Sequence, residues 1–259
     1  ISRLEDDLGA RLLHRSTRNV ELTHVGQGYL ERVREILNKL EDADHYVQDL
    51  QQQPKGKLKI NAPMALGITD LSHLFAEFMA AYPDIELDIH LGDESVDLVE
   101  QGFDLGFRAS SRAIDSAYVG RPLTTFRYRV CVGADYFEQH PSISNPQDLQ
   151  NHNCFVYSYF QGKNVWPIGE DGVVIQGTLK VNSTVFMMEA IKRNKGIGFI
   201  PDFVCKEAID SGEVMEILAN EAKPSLTLYA LYPARHHAPP KLIRCIEFLE
   251  QWFKLNDKI

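Results

Sequence analysis

Residues 1–30 read ISRLEDDLGARLLHRSTRNVELTHVGQGYL, and the elements they predict decide how the rest of the chain is read. Ile1, Leu4 and Leu8 recur at helical spacing, and Gly9 follows where a helix end favours a left-handed backbone. Residues 11–14 and 20–22 are short β-prone runs. The polar stretch Arg15-Ser16-Thr17-Arg18-Asn19 between them predicts a small hairpin, or wing. Residues 11–20 carry Arg11, Arg15 and Arg18 with no acid. The whole chain sets 27 Lys and Arg against 36 Asp and Glu, a net charge of −9, which excludes a nucleic-acid coat but leaves room for DNA contact at one basic end. The chain opens without Met, inside what reads as a helix, so further residues are expected upstream.

Moving outward, Thr23 is placed to cap a long helix, since its hydroxyl can accept a backbone N–H of the first turn. Residues 25–50 contain no Pro, and their apolar side chains fall into heptads. Val33, Leu40 and Val47 share one position, and Tyr29, Ile36, Ala43 and Leu50 share another. An isolated helix with such a seam must bury it, and a second copy of the chain is the simplest partner. Self-association is therefore expected through Tyr29, Val33, Ile36, Leu40 and Val47; packing on its own domain is the alternative. Residues 51–57, QQQPKGK, are polar with Pro and Gly and predict a hinge.

Beyond the hinge, strands and helices alternate. Strands are predicted at 58–62, 85–91, 104–108, 127–132, 154–157, 173–181, 197–200 and 226–232. Helices are predicted at 66–82, 96–101, 184–194 and 241–253. Alternation of this kind argues for an α/β domain with a parallel-rich sheet. No apolar run approaches the roughly 18 residues that span a bilayer, and no membrane partner is expected. Cys131, Cys154, Cys205 and Cys245 are too widely spaced for a zinc or redox motif, and reduced thiols in a cytoplasmic protein are the expectation. His236-His237 lies beside Pro239-Pro240 with no third ligand near in sequence, so a loop is expected there rather than a metal site. No nucleophile elbow, phosphate-binding loop, metalloprotease helix or dinucleotide fingerprint occurs, so no catalytic residue, cofactor or metal is expected. A solute-binding or catalytic α/β protein with a helical arm is the rival reading; neither has need of the wing and the heptad helix.

The same residues resemble the LysR-type transcriptional regulators. In that family the second half of the recognition helix reads approximately I-x-x-L-E-x-x-L-G, and a wing and then L-T-x-x-G follow it. Here these are Ile1, Leu4, Glu5, Leu8 and Gly9, then Leu12 and Arg15, then Leu22, Thr23 and Gly26. The likeness continues through residues 78–108, DSAYVGRPL (115–123), NPQDLQNHNC (145–154), GIGFIP (196–201) and residues 228–249, which covers nearly the whole chain in order.

The resemblance implies a partial winged helix-turn-helix over 1–22, a linker helix over 23–50, and an effector-binding domain over 58–259. That domain would be two α/β lobes like a type 2 periplasmic binding protein, with lobe one at 58–130 and 233–259 and lobe two at 131–232. It implies a DNA-binding regulator, not an enzyme, with promoter DNA, a small-molecule effector and other copies of itself as partners. A homodimer follows from the helix; a homotetramer is what the family implies. Arg15 and Arg18 are the expected wing contacts to DNA, with Arg3 and Thr23 as phosphate contacts. In open α/β sheets ligands collect beyond the carboxyl ends of strands. Met64, Ala65, Ser95, Arg108, Ser183, Thr184, Val185, Ile200 and Pro201 are therefore the expected effector residues, with an aromatic or other organic acid as the effector. Pro63 removes one N–H donor from the first loop, which weakens it as an anion cradle.

Overall fold

The computed structural model describes residues 1–15, 20–51, 54–110, 118–160, 162, 164–221, 223–234 and 238–256; within the long helix the side chains at 35, 38–39 and 41–51 are also outside the description. The chain divides into two compact units, Ile1–Gln53 with His236–Pro240, and Pro54–Arg235 with Lys241–Ile259. His236 and His237, expected in a loop, lie outside the described residues.

The first unit contains α1 (Ser2–Leu8), the strands β1 (Leu13–Arg15) and β2 (Val20–Leu22), and α2 (His24–Gln51). Gly9 ends α1 at φ 64°, as the left-handed position required. The two strands pair antiparallel in the register Leu13↔Leu22, the expected hairpin. Glu5 organises this end: its carboxylate accepts the backbone N–H of Leu12 at 2.8 Å and of Leu13 at 3.0 Å, fixing the hairpin to α1. Thr23 caps α2, its hydroxyl accepting the Gly26 N–H at 2.8 Å and donating to the Arg11 carbonyl at 2.7 Å.

Gly26 is needed because α2 lies directly on the hairpin. A Cβ there would sit 2.0 Å from the Leu12 carbonyl oxygen, which also accepts the Thr23 N–H at 2.9 Å. Gly26→Ala should therefore destabilise this unit by about 1–3 kcal/mol, the usual cost of overpacking. Gly28→Ala, whose Cβ meets only Arg32 Nη1 at 3.5 Å, should instead stabilise α2 by up to about 1 kcal/mol through helix propensity. Amide exchange at Thr23 and Gly26 measures both, and equal protection in the two variants would refute the contact.

The second unit starts with β3 (Gly56–Ala62), α3 (Met64–Ile68), α4 (Asp70–Ala81), β4 (Ile85–Leu91), β5 (Leu105–Ser110) and β6 (Tyr118–Gly133). It continues with α5 (Ala134–Gln139), the 3-10 turn Pro146–Asn151, β7 (Val156–Tyr157), β8 (Val165–Trp166), β9 (Val173–Val174), β10 (Lys180–Val181), α6 (Thr184–Lys192) and β11 (Ile197–Pro201). It closes with α7 (Asp202–Asp210), β12 (Val214–Ile217), β13 (Ser225–Pro233) and α8 (Pro240–Asn256). The main sheet runs β11-β6-β13-β5-β3-β4, with β12 also on β6.

One expectation is corrected here. The sheet is mixed: β3 pairs parallel with β4 and β5, but every pairing of β6 and β13 is antiparallel. These two strands pass between the lobes in opposite directions, which alternation in sequence does not reveal. β6 pairs with β13 up to Arg127 and with β11 from Tyr128, so the lobes divide within it. β13 pairs with β5 from Thr227 to Leu231.

Lobe one is packed around Leu58, Ile60, Leu74, Phe78, Phe107 and Leu249, all buried. The predicted helix 66–82 is two helices, broken at Thr69, whose hydroxyl bonds back to the Ala65 carbonyl at 3.1 Å. The predicted helix at 96–101 is instead a turn built on Asp97, whose carboxylate accepts the N–H of Val99 and Glu100. The core of lobe two is held by Val130, Val132, Trp166, Ile197 and Phe199, with a second cluster around Cys131, Met187, Ile191, Ile200 and Cys205. All four cysteines are buried. Burial pushes the Cys154 thiol up to about 12, and a hydrogen bond to Cys205 together with burial raises Cys131, so neither thiol ionises readily.

Candidate functional site

The lobes meet at the carboxyl ends of β3, β4, β5 and β11, where a cleft of about 530 Å³ opens. That volume is within the roughly 300–1,000 Å³ usual for small-molecule sites. Lobe one contributes Pro63 and Ala65 after β3, residues 92–95 after β4, and Arg108 near the end of β5. Lobe two contributes Tyr157 and Tyr159, Thr184 at the start of α6, and Pro201 and Phe203 at the passage from β11 to α7. The crossing strands form the floor through Phe126, Tyr128, Leu226 and Leu228.

Of the expected effector residues, the cleft brings together Ala65, Ser95, Arg108, Thr184 and Pro201. Met64, Ser183, Val185 and Ile200 are not among its lining residues. Ser183 caps α6, accepting the Phe186 N–H at 3.3 Å. Ile200 points the other way along the strand, fully buried in the lobe-two core. Met64 contributes through its backbone: its N–H donates to Asp93 Oδ1 at 3.0 Å. Arg108 is turned onto its own lobe, where Nη2 donates to the Val96 carbonyl.

The aromatic lining was not foreseen. Tyr128 stacks on Phe199 at 4.7 Å between centroids, and Phe126 meets Phe203 edge-on at 5.0 Å. One hydrogen bond joins the lobes across the mouth, the Tyr159 hydroxyl donating to Glu94 Oε1 at 3.1 Å, and Tyr157 lines the cleft with Asp93. Burial pushes the Tyr128 hydroxyl up to about 12, with the Asp93 charge adding to it. Burial, and then Asp93, also raises Tyr157. A signal existed in the alternation of Phe126-Arg127-Tyr128-Arg129, which sets two rings on one face of an extended strand.

In the first unit, Arg3 is exposed on α1. Arg15 belongs to β1, but its side chain is outside the description, as is Arg18 altogether. Thr23 keeps no spare proton, since its hydroxyl hydrogen goes to the Arg11 carbonyl. On α2, Ile36 and Leu40 are 65% and 59% exposed, while Tyr29 and Val33 are half-buried; the side chain of Val47 is outside the description. Among the described residues no helix is long and apolar enough to cross a membrane, and no group of His, Cys, Asp and Glu is placed to hold a metal.

Comparison with known proteins gives a consistent answer. The family described as the LysR substrate binding domain matches residues 51–254. An HTH-type transcriptional regulator of Xanthomonas campestris pv. campestris is 32% identical over 96% of this chain and 74% of its own length. The structure is similar to CrgA, a LysR-type transcriptional regulator from Neisseria meningitidis, with a TM-score of 0.73 and 25% identity over 98% of this chain and 87% of that one. It also shares its fold with AphB, the Vibrio cholerae virulence activator, with a TM-score of 0.71 and 22% identity over 96% of this chain and 86% of that one.

Proposed function

Since this chain belongs to the LysR family of transcriptional regulators, we propose that it contacts promoter DNA through the hairpin end of its first unit and is controlled by a small organic effector held between the two lobes. Arg15 and Arg18 are the wing contacts in this reading, with Arg3 on phosphate; Thr23 acts through its place at the start of α2 rather than through its hydroxyl. The α2 seam joins two copies, and two such dimers form a tetramer on adjacent sites. The protein acts in the cytoplasm and carries out no chemical step.

The observation that supports this most is the cleft itself. It lies at the strand ends of two lobes that the crossing strands β6 and β13 connect, where a ligand touching both lobes changes their closure. Closure then alters how paired copies sit on DNA. The expectation of an organic acid loses support, because the Met64 N–H and Arg108 are both already engaged.

The test is a thermal-shift screen of small organic molecules, repeated on a Tyr128→Ala variant. A ligand at about 100 times its Kd should stabilise the native state by about 2.7 kcal/mol, and that gain should vanish in the variant. The same ligand should alter protection of promoter DNA. Equal stabilisation of both proteins would move the effector out of the cleft, and failure to bind any promoter fragment at low salt would defeat the regulatory reading.

A further inference from the structure

We propose that the effector is an organic cation, an ammonium group on an apolar or aromatic body, and that Asp93 is its charge partner; this rests on the cleft being the effector site. Three observations lead there. First, the lobe-one lip is a depleted cradle for an anion. Pro63 has no N–H, and the N–H of Met64 is already taken by Asp93 Oδ1 at 3.0 Å. The chain has placed its own carboxylate where a ligand carboxylate would otherwise go.

Second, the charges are unevenly committed. Among the described residues lining the cleft, Asp93, Glu94 and Arg108 carry formal charge. Arg108 is turned onto the Val96 carbonyl, and its charge also acts on Asp97 of the same lobe. Asp93 accepts from a neutral donor, the Met64 N–H, and no described Lys, Arg or His forms an ion pair with it. Glu94 accepts from the Tyr159 hydroxyl, again a neutral donor. An incoming carboxylate would meet two like charges, whereas an ammonium would meet two carboxylates with lone pairs to spare.

Third, the walls suit a cation with an apolar body. Tyr128 and Tyr157 line the cleft with Asp93, whose charge adds to the burial that raises both hydroxyls, and Phe126 and Phe203 continue the wall. Aromatic faces attract ammonium groups through the ring quadrupole, most strongly in desolvated sites. An ammonium on Asp93 would also touch Tyr157, so it would bind at the junction between lobes rather than on one of them.

Matched triplets test this: 2-phenylethylammonium, 3-phenylpropionate and 3-phenylpropionamide, with the corresponding alkyl series, titrated calorimetrically into the whole protein. The ammonium member of the best triplet should bind at least about tenfold more tightly than its carboxylate, and its affinity should fall with added salt while that of the amide holds. Asp93→Asn keeps an oxygen for the Met64 N–H but removes the charge. It should weaken the ammonium by about tenfold or more and leave the amide within about twofold. Tighter binding of the carboxylate, improved again by Asp93→Asn, would overturn the charge assignment while leaving the cleft as the effector site. Binding of no triplet at about 5 mM would overturn both.

Discussion

Replacing Ile36 and Leu40 together with glutamate is expected to leave the protein monomeric at micromolar concentration. Both side chains stand on α2, 65% and 59% exposed, and Leu37 between them is 52% exposed. α2 is 28 residues, or about 42 Å at a rise of roughly 1.5 Å per residue, and the two residues fall on the two heptad positions read from sequence. Burying one such side chain is worth about 1.5–3 kcal/mol. A two-fold interface uses each residue twice, so the four copies supply roughly 6–12 kcal/mol of association. Glutamate removes that term and sets four like charges along the seam. At about 1.4 kcal/mol per tenfold, the dimer constant should weaken by at least about 10⁴-fold. Sedimentation equilibrium gives the mass directly, with Arg32→Ala on the exposed face as control. A double variant that remains dimeric would place the interface elsewhere and would leave the exposed stripe without a partner. Because each protomer supplies one hairpin, the monomer should also lose most of its affinity for a two-half-site promoter, read by gel shift at fixed salt.

The hairpin and the capped start of α2 were readable because each depends on residues close in sequence. Thr23 and Gly26 lie one helical turn apart, and Leu12 meets them through a short hairpin. The strands at 58–62 and 85–91 and the helices α6 and α8 were visible for the same reason, through local periodicity. What failed was long-range. Residues 202–210 form α7, but the Pro201-Asp202 start resembles the end of a strand as much as the start of a helix. The predicted strand over 173–181 is two short pieces, because Gly177 lies with its Cα against the Cys154 carbonyl and breaks the run. The site shows the same division. Strand ends and helix starts pointed to Ala65, Arg108, Thr184 and Pro201, whereas Tyr157, Tyr159 and Phe203 reach the cleft only because the lobes fold against each other. The filling of the Met64 N–H by Asp93, 29 residues away, is visible only in three dimensions.

Asp202→Ala should be the most damaging single polar substitution near the cleft, costing roughly 2–5 kcal/mol of lobe-two stability. Asp202 is 2% exposed, at the first position of α7. Its two oxygens serve different elements: Oδ2 accepts the Arg127 N–H at 3.0 Å and Oδ1 the Phe203 N–H at 2.9 Å. Arg127 is the last residue of β6 paired with β13, and the next residue, Tyr128, faces Pro201 of β11. The carboxylate therefore ties α7 to the point where β6 passes from one lobe to the other. Removing it strands two backbone donors, each worth about 1–3 kcal/mol when left unsatisfied, and takes a negative charge from the first turn of a helix. Asp202→Asn keeps one acceptor oxygen and should lose about half as much. Urea unfolding with amide exchange at Arg127 and Phe203 measures the effect, and unchanged exchange at both would show that the tie does not hold the crossing. The charge has its own signature. Burial holds the Asp70 carboxyl above the ordinary range, and Asp202 adds to that rise, so Asp202→Asn should lower the Asp70 pKa, a change that carbon NMR detects without reference to stability. Phe203, packed edge-on against Phe126 in the cleft wall, should shift in the alanine variant, and effector affinity should fall with it.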